Sequence, residues 1–172
     1  MDLSNVAVLA VLVFFSADQP PEASPHAAIL VDGNCTRAGQ AIGVQDQCDV
    51  YSALLDTYMD KALAGDPRAA FMVGLVYMDD DAFTTRSIEW FKRSADGGHK
   101  NGQYYLGLAY ELGEGGVNQD PVAAHAWFQL AADQGLSVAK SARDRLSADM
   151  SGAEIADAEE LAIGLRSKTK VQ

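Results

Sequence analysis

Basic side chains are scarce in this sequence, and the imbalance argues against one class of partner. The 13 Lys and Arg residues stand against 24 Asp and Glu residues, which gives a formal net charge of −11 at pH 7. Nucleic-acid binding requires clustered Lys and Arg that displace counterions from the phosphates. We therefore expect no nucleic acid among the partners.

Residues suited to catalysis or metal binding are also few. His26, His99 and His125 have no histidine at the i+4 spacing of a helical metal site. The two cysteines lack the further His or Cys ligands that would complete a zinc site, and no nucleophile is paired with a base. The sequence predicts no catalytic residue, no metal site and no small-molecule cofactor.

Two loops contain residues found in ligand sites, but neither has the required pattern. The glycine-rich segment 113–116 lacks both the lysine of a phosphate-binding loop and a preceding strand. The acidic run 79–81 lacks the alternating spacing and the distant Glu of an EF-hand. We predict that both segments are surface loops.

The only apolar run near the N-terminus, residues 6–15, is shorter than the roughly 20 residues that cross a bilayer. Its length suits the core of a signal peptide, although no Lys or Arg precedes it and Phe15-Ser16-Ala17 departs from a small-x-small cleavage site. We predict that residues 1–17 are a signal peptide and that the protein is periplasmic or secreted. The alternatives are an uncleaved anchor, as the one contact with a membrane, and a cytoplasmic protein with a different start.

Residues 18–49 are predicted to be a linker, because three prolines near its start favour a mobile spacer. This segment contains Cys35 and Cys48. In an oxidising compartment the two thiols can form a disulfide, which would stabilise the fold by about 3 kcal/mol through the unfolded state. Two separate thiols are the alternative.

The rest of the chain contains an internal repeat. The run 71–77 (FMVGLVY) matches the run 104–110 (YYLGLAY) 33 residues later, and Trp90-Phe91 matches Trp127-Phe128 37 residues later. The additional residues fall in the loop between the two matching segments. Periods of this size are typical of stacked helix pairs, so each unit is predicted to be helix, loop, helix.

Recurring glycines support this interpretation. A glycine inside a helix costs about 0.5–1 kcal/mol relative to alanine, so Gly74 and Gly107 at the same register predict close contact between helices. Gly98 and Gly135 follow the second helix of each unit, where glycine suits the C-cap. We expect a short all-α solenoid of antiparallel helix pairs.

The helical domain is predicted to cover residues 50–165. A half repeat over 50–64 precedes the first unit, and a further helix over 137–146 follows the second. Ser151 and Glu154 form an S-x-x-E capping box at the start of a terminal helix over 152–165. Residues 166–172 are expected to be a flexible tail.

The second unit resembles the Sel1-like repeat. The resemblance is carried by Leu106, Gly107, Tyr110, the glycine-rich loop ending at Val117, Asp120, Pro121, Ala124, Ala126, Trp127, Phe128, Ala131, Ala132 and Gly135. The first unit keeps Gly74, Tyr77, Trp90, Phe91 and Ala95 but lacks the glycine-rich loop. The resemblance implies a right-handed α-solenoid similar to tetratricopeptide arrays, which serves as an adaptor in protein complexes and in bacteria is often exported. It implies no catalytic residue.

A binding surface is expected on the first helix of each pair, because solenoids commonly use the concave side. On these helices Arg68 with Met72, and Asn101 with Tyr105, lie at i, i+4 spacing away from the expected packing rows. We predict that these four residues contact the partner. The alternative is that Met72 and Tyr105 pack against neighbouring helices.

These features together predict an exported bacterial adaptor that binds another protein, or a peptide segment of one, within an envelope or periplasmic complex. Two alternatives remain open. One is a cytosolic regulatory scaffold. The other is a cell-wall-related, hydrolase-like protein, because some exported relatives have been linked to envelope phenotypes.

Overall fold

A computed structural model describes residues 30–31, 34–35, 45–78 and 83–169 of the chain. The predicted signal segment 1–17, the linker prolines and the acidic run 79–81 lie outside these residues. The side chains of Cys35 and Cys48 lie outside them as well, so the disulfide stays a prediction.

Within the described ranges the chain forms one short strand pair followed by seven helices. β1 (Leu30–Val31) pairs antiparallel with β2 (Asn34–Cys35). The helices are α1 (Gln45–Leu63), α2 (Pro67–Val76), α3 (Thr85–Asp96), α4 (Lys100–Leu112), α5 (Pro121–Asp133), α6 (Ser137–Ser147) and α7 (Gly152–Thr169). α1 begins before the predicted residue 50, and α7 continues past the predicted residue 165.

Polar side chains set the starts of several helices. Asp66 starts α2 by accepting hydrogen bonds from two backbone N–H groups at 2.9 and 3.0 Å, and Asp120 starts α5 in the same way at 2.9 Å. The predicted capping box is confirmed, since Glu154 Oε2 accepts from the Ser151 N–H at 2.8 Å while Ser151 Oγ accepts from the Glu154 N–H at 3.3 Å. These side chains satisfy amides that have no partner inside the helix.

Glycines set the turns that follow the second helix of each pair. Gly65, Gly98 and Gly135 have φ values of +96°, +84° and +83°. Residues with a Cβ rarely adopt this left-handed conformation. The predicted capping role of Gly98 and Gly135 is confirmed.

The helices stack as a short α-solenoid. α2 pairs with α3 and α4 with α5, and each first helix also packs against the second helix of the preceding unit, α2 on α1, α4 on α3 and α6 on α5. This is the predicted all-α, tetratricopeptide-like architecture, which the structure confirms.

Gly74 and Gly107 allow the two helices of each pair to approach closely. A Cβ at Gly74 would lie 2.6 Å from Cε1 of Phe91, and a Cβ at Gly107 would lie 2.7 Å from Cδ1 of Phe128. Both distances are shorter than a carbon–carbon contact allows. The predicted close helix contact is therefore confirmed in both repeats.

Aromatic rings fill the core between the two repeats. Phe71, Phe91 and Phe128 are almost completely buried. The ring of Tyr105 lies 5.0 Å from that of Phe91 and 5.4 Å from that of Phe71 between centroids. Their tilted and edge-on arrangements are those that aromatic pairs prefer.

The terminal helix does not form a regular pair with α6. α7 packs against α5 and touches α3, but makes little contact with α6, the helix that precedes it in the chain. Ala158 and Ala162 are buried on its inward side, and Arg166 forms an ion pair with Asp133 at the end of α5. α7 therefore covers the side of the solenoid that the second helices form.

No helix within the described ranges is both long enough and apolar enough to cross a membrane.

Candidate partner-binding face

Two of the four predicted contact residues lie in the first turns of neighbouring first helices. Arg68 in α2 is exposed, and Asn101 in α4 is half-buried. The two positions are related by the 33-residue period of the repeat. They therefore mark corresponding places on the first-helix side of the solenoid.

The other two predicted contact residues are in the core. Met72 and Tyr105 expose only 5% and 6% of their surface, and both belong to the same buried cluster. The prediction that they lie on the surface is wrong, and the alternative of packing between helices is what the structure shows. They have too little accessible surface to contact a partner in this structure.

The error has a geometric reason. α2 and α4 are each held between two second helices, so each needs two packing faces rather than one. On α4, Gly107 faces Phe128 of α5, while Gly102 faces Ser94 of α3. Positions opposite Gly107 are therefore buried against α3, and the accessible arc lies between the two packing faces.

The accessible arc of α4 carries Asn101, Tyr104, Leu108 and Leu112, which we call the α4 stripe. Its members recur at intervals of three or four residues and so lie along one side of the helix. The first three are half-buried, and Leu112 is 56% exposed. The stripe thus presents one aromatic and two aliphatic side chains next to an amide.

Residues of α6 border the α4 stripe. Leu146 packs on the same buried cluster as Leu108, and Val138 packs on the same cluster as Tyr104. Half-buried apolar side chains of the stripe and of the next first helix thus pack on shared buried clusters.

An ion pair closes one end of this surface. Arg145 Nη1 of α6 lies 2.7 Å from Glu111 Oε1 of α4. Burial raises the pKa of the nearby Tyr104 hydroxyl, and Glu111 raises it further, while Arg145 opposes the shift. The Tyr104 hydroxyl thus stays protonated at neutral pH and can donate a hydrogen bond.

Polar groups lie at the other end, where α4 begins. The His99 Nδ1 and Asn101 Oδ1 atoms are buried and have no hydrogen-bond partner among the described residues. Burial, together with the charges of Arg68 and Lys100, lowers the pKa of His99 to about 4, while Asp66 opposes the shift. His99 is therefore neutral at physiological pH.

His125 and Ser147 form the only pairing among the described residues that resembles hydrolase chemistry. His125 Nε2 lies 2.9 Å from Ser147 Oγ, and the Ser147 hydroxyl donates to the Arg143 carbonyl at 2.8 Å. With the hydroxyl donating to Arg143, His125 donates from Nε2 and is not placed as a base toward this hydroxyl. Its Nδ1 atom, which a triad would hold with an acid, has no partner among these residues.

The described part of the chain also contains no group of three or more His, Cys, Asp or Glu side chains placed to hold a metal ion.

Sequence reasoning identified the correct helices but missed Tyr104 and Leu108. Tyr104 and Tyr105 are adjacent and chemically alike, so residue type does not distinguish the buried tyrosine from the accessible one. Gly102 and Gly107 indicate that α4 packs on two sides, but Tyr104 and Tyr105 lie equally close to these glycines around the helix, so the glycines do not show which tyrosine is accessible.

The Sel1 repeat family profile matches residues 67–99 and 100–136, which correspond to α2 with α3 and α4 with α5. No curated protein matches the chain. Among solved structures, a protective antigen present in uropathogenic Escherichia coli strains and displaying an SLR fold matches with a TM-score of 0.60 and 23% sequence identity. The match covers 69% of this chain and 26% of that chain, so this chain spans about a quarter of that structure's length.

The fold and the repeats define a helical-repeat module for protein–protein interaction. Residues 67–136 match two consecutive Sel1 repeats. The resemblance that was specific in the second unit therefore extends to the first, although the first lacks the glycine-rich loop.

Proposed function

We propose that this protein is an adaptor that binds a short segment of a partner protein along the α4 stripe. The observation that carries the proposal is that another helix covers one side of the solenoid but not the other. α7 covers the second-helix side, whereas the α4 stripe keeps apolar side chains accessible on the first-helix side. Tyr is enriched at protein interfaces, where its ring supplies apolar area and its hydroxyl a hydrogen bond.

The dimensions of the stripe suit a short peptide. From Asn101 to Leu112 the helix rises about 16 Å, at about 1.5 Å per residue. An extended peptide of about five residues spans the same distance.

The location proposed for this adaptor is the bacterial periplasm or cell exterior. The apolar run 6–15 has the length of a signal-peptide core, and a disulfide between Cys35 and Cys48 requires an oxidising compartment. The matched Escherichia coli structure is that of a protective antigen, a description that fits an exported protein. Mass spectrometry of the mature N-terminus tests this location. A start near residues 18–28 supports export, and a mature protein that still contains residues 1–17 contradicts a cleaved signal peptide.

Matched substitutions test the binding face. Leu112→Glu and Leu108→Glu place a charge on the α4 stripe, and Ile163→Glu places the same charge on the outward side of α7, where Ile163 is 66% exposed. Tagged full-length variants are expressed in the source cells, crosslinked and purified under stringent washing. Co-purified proteins are then quantified by mass spectrometry.

We expect one partner to be retained by the wild-type chain and by Ile163→Glu, and reduced at least tenfold by Leu112→Glu with helicity unchanged. Circular dichroism identifies any variant that fails to fold, which matters most for the half-buried Leu108. Equal loss in Leu112→Glu and Ile163→Glu, or no loss in either, contradicts a site on the stripe.

A further inference from the structure

The position of α7 gives a second, independent inference. In the two regular repeats each second helix packs against the first helix of its own pair, but α7 packs against α5 and α3 instead of α6. Its contacts are thus with helices far from it in the chain. The chain connection between α6 and α7 is the short junction 148–151.

The surface under α7 differs from the equivalent surface of the first repeat. Ala126 and Leu130, on either side of Trp127, are buried and belong to the same cluster as Ala162 of α7. The residues 37 positions earlier are Glu89 and Arg93, which are exposed charges. The second repeat therefore has an apolar surface where the first has a polar one, and this surface needs a helix to cover it.

α7 covers that surface with two alanines, with the half-buried Leu165 and with charges at its C-terminal end. Ala158 and Ala162 face inward, whereas Leu161 and Ile163 remain 38% and 66% exposed. The Arg166–Asp133 ion pair adds a contact specific to this position. With two alanines and one half-buried leucine on its inward side, α7 buries less apolar area than a helix anchored by several large side chains, so its detachment costs less free energy.

The junction between α6 and α7 lacks the positive-φ glycine that four of the other turns contain. The turns after α1, α3, α4 and α5 contain glycines with positive φ, but no residue of 148–151 is a glycine. Ala148 has helical angles, φ −67° and ψ −25°, and the N–H of Asp149 donates to the carbonyl of Leu146 at 3.1 Å. The backbone is therefore still helical where α6 ends, and the turn into α7 is made before its N-cap, Ser151. Joining α6 and α7 into one helix would require a conformational change at this cap and the loss of the Ser151–Glu154 capping box.

We propose that α7 is exchanged between two copies of this chain. The junction 148–151 straightens, and the α7 of each copy docks on α5 and α3 of the other. Every contact of α7 with α5 and α3 then recurs between copies, including the ion pair of Asp133 with Arg166, as in other domain-swapped dimers. This interface lies away from the α4 stripe and does not depend on the partner proposed above.

A pair of charge-reversed variants tests the exchange. The full-length variants Asp133→Arg and Arg166→Asp each place like charges together within one chain and within a dimer of identical copies. A mixed dimer with exchanged α7 helices pairs opposite charges at both of its interfaces. The two variants carry tags of different mass, are mixed at high concentration, and are examined by native mass spectrometry.

Variants of another ion pair provide the control. Glu111 and Arg145 join α4 to α6, which stay in the same copy when α7 is exchanged. A mixture of Glu111→Arg with Arg145→Asp therefore gains nothing from a mixed dimer.

We expect a concentration-dependent dimer of the wild-type chain. In the Asp133/Arg166 mixture the mixed dimer should exceed either homodimer several-fold beyond the statistical ratio, whereas the control mixture should not. Wild-type chains and mixtures that stay monomeric up to the solubility limit overturn the proposal. Mixed dimers at the statistical ratio in both mixtures overturn it as well, because they place the interface elsewhere.

Discussion

Gly107 faces the ring of Phe128 so closely that a Cβ at this position would lie 2.7 Å from Phe128 Cδ1 and 3.3 Å from the carbonyl oxygen of Ala124. Gly74 and Phe91 repeat this relationship in the first unit. The contact sets the distance between the two helices of a pair. It also turns one face of α4 toward α5 and so determines which residues of α4 remain accessible.

Substitution of this glycine should separate the steric effect from helix propensity. We expect Gly107→Ala to lower the free energy of unfolding by about 1–3 kcal/mol, because the new methyl group overpacks the contact with Phe128. Gly164→Ala in α7 is the control, since nothing lies within 4 Å of its Cβ position. That variant should raise stability by about 0.4–1 kcal/mol. Urea unfolding measures both, and equal shifts would contradict the steric account.

Ser94 of α3 forms a hydrogen bond to α2, the other helix of the first repeat. Its buried hydroxyl donates a hydrogen bond of 2.6 Å to the carbonyl of Pro67. We expect Ser94→Ala to lower the free energy of unfolding by about 1–2 kcal/mol, because a buried hydrogen bond is lost and a small void is left. Ser141→Ala, at an exposed position in α6, should stay within about 0.5 kcal/mol of wild type. A negligible effect of Ser94→Ala in urea unfolding would show that this hydrogen bond contributes little.

His99 should make the fold sensitive to acid. Burial lowers its pKa from 6.5 to about 4, so between these values the unfolded chain binds a proton that the folded chain does not. Stability therefore falls as pH decreases below 6.5 and levels off below 4 with respect to this group. From pH 7 to pH 5 the wild-type chain should lose about 1 kcal/mol more than His99→Gln, a value reduced for partial solvent exposure. Identical pH profiles of the two chains would contradict the lowered pKa.

Cys35 and Cys48, which precede the repeats, are predicted to form a disulfide. We expect thiol titration of the denatured, unreduced protein, purified from its native compartment, to find no free thiol at Cys35 or Cys48. Reduction should lower the free energy of unfolding by up to about 3 kcal/mol, as expected for a loop of this length. Two titratable thiols would contradict both the disulfide and one argument for export.

Much of the solenoid was predictable from the sequence because its rules are local and repeated. Gly74 and Gly107 at one register identified the close helix contacts, and Gly98 and Gly135 identified the turns that need positive φ. Ser151 with Glu154 identified the start of α7. Each of these signals depends on residues within one helix or one turn.

The packing of α7 and the accessible face of α4 were not predictable by the same reasoning. The apolar residues of α7 are distributed around the helix, with Ala162 inward and Ile163 outward, so its sequence does not indicate one packing face. On α4 the burial of Tyr105 rather than Tyr104 depends on α3, which packs against it from another repeat unit. Both outcomes depend on contacts between elements distant in the sequence.

Site-specific photocrosslinking tests the proposed binding face most directly. A photoreactive residue replaces Leu112 on the α4 stripe in one full-length chain, and replaces the similarly exposed Ile163 on α7 in another. After irradiation of living cells, we expect a crosslinked heterologous protein at position 112 that is absent at position 163. The same protein crosslinked equally at both positions, or at 163 alone, would contradict the assignment of the first-helix side as the binding face.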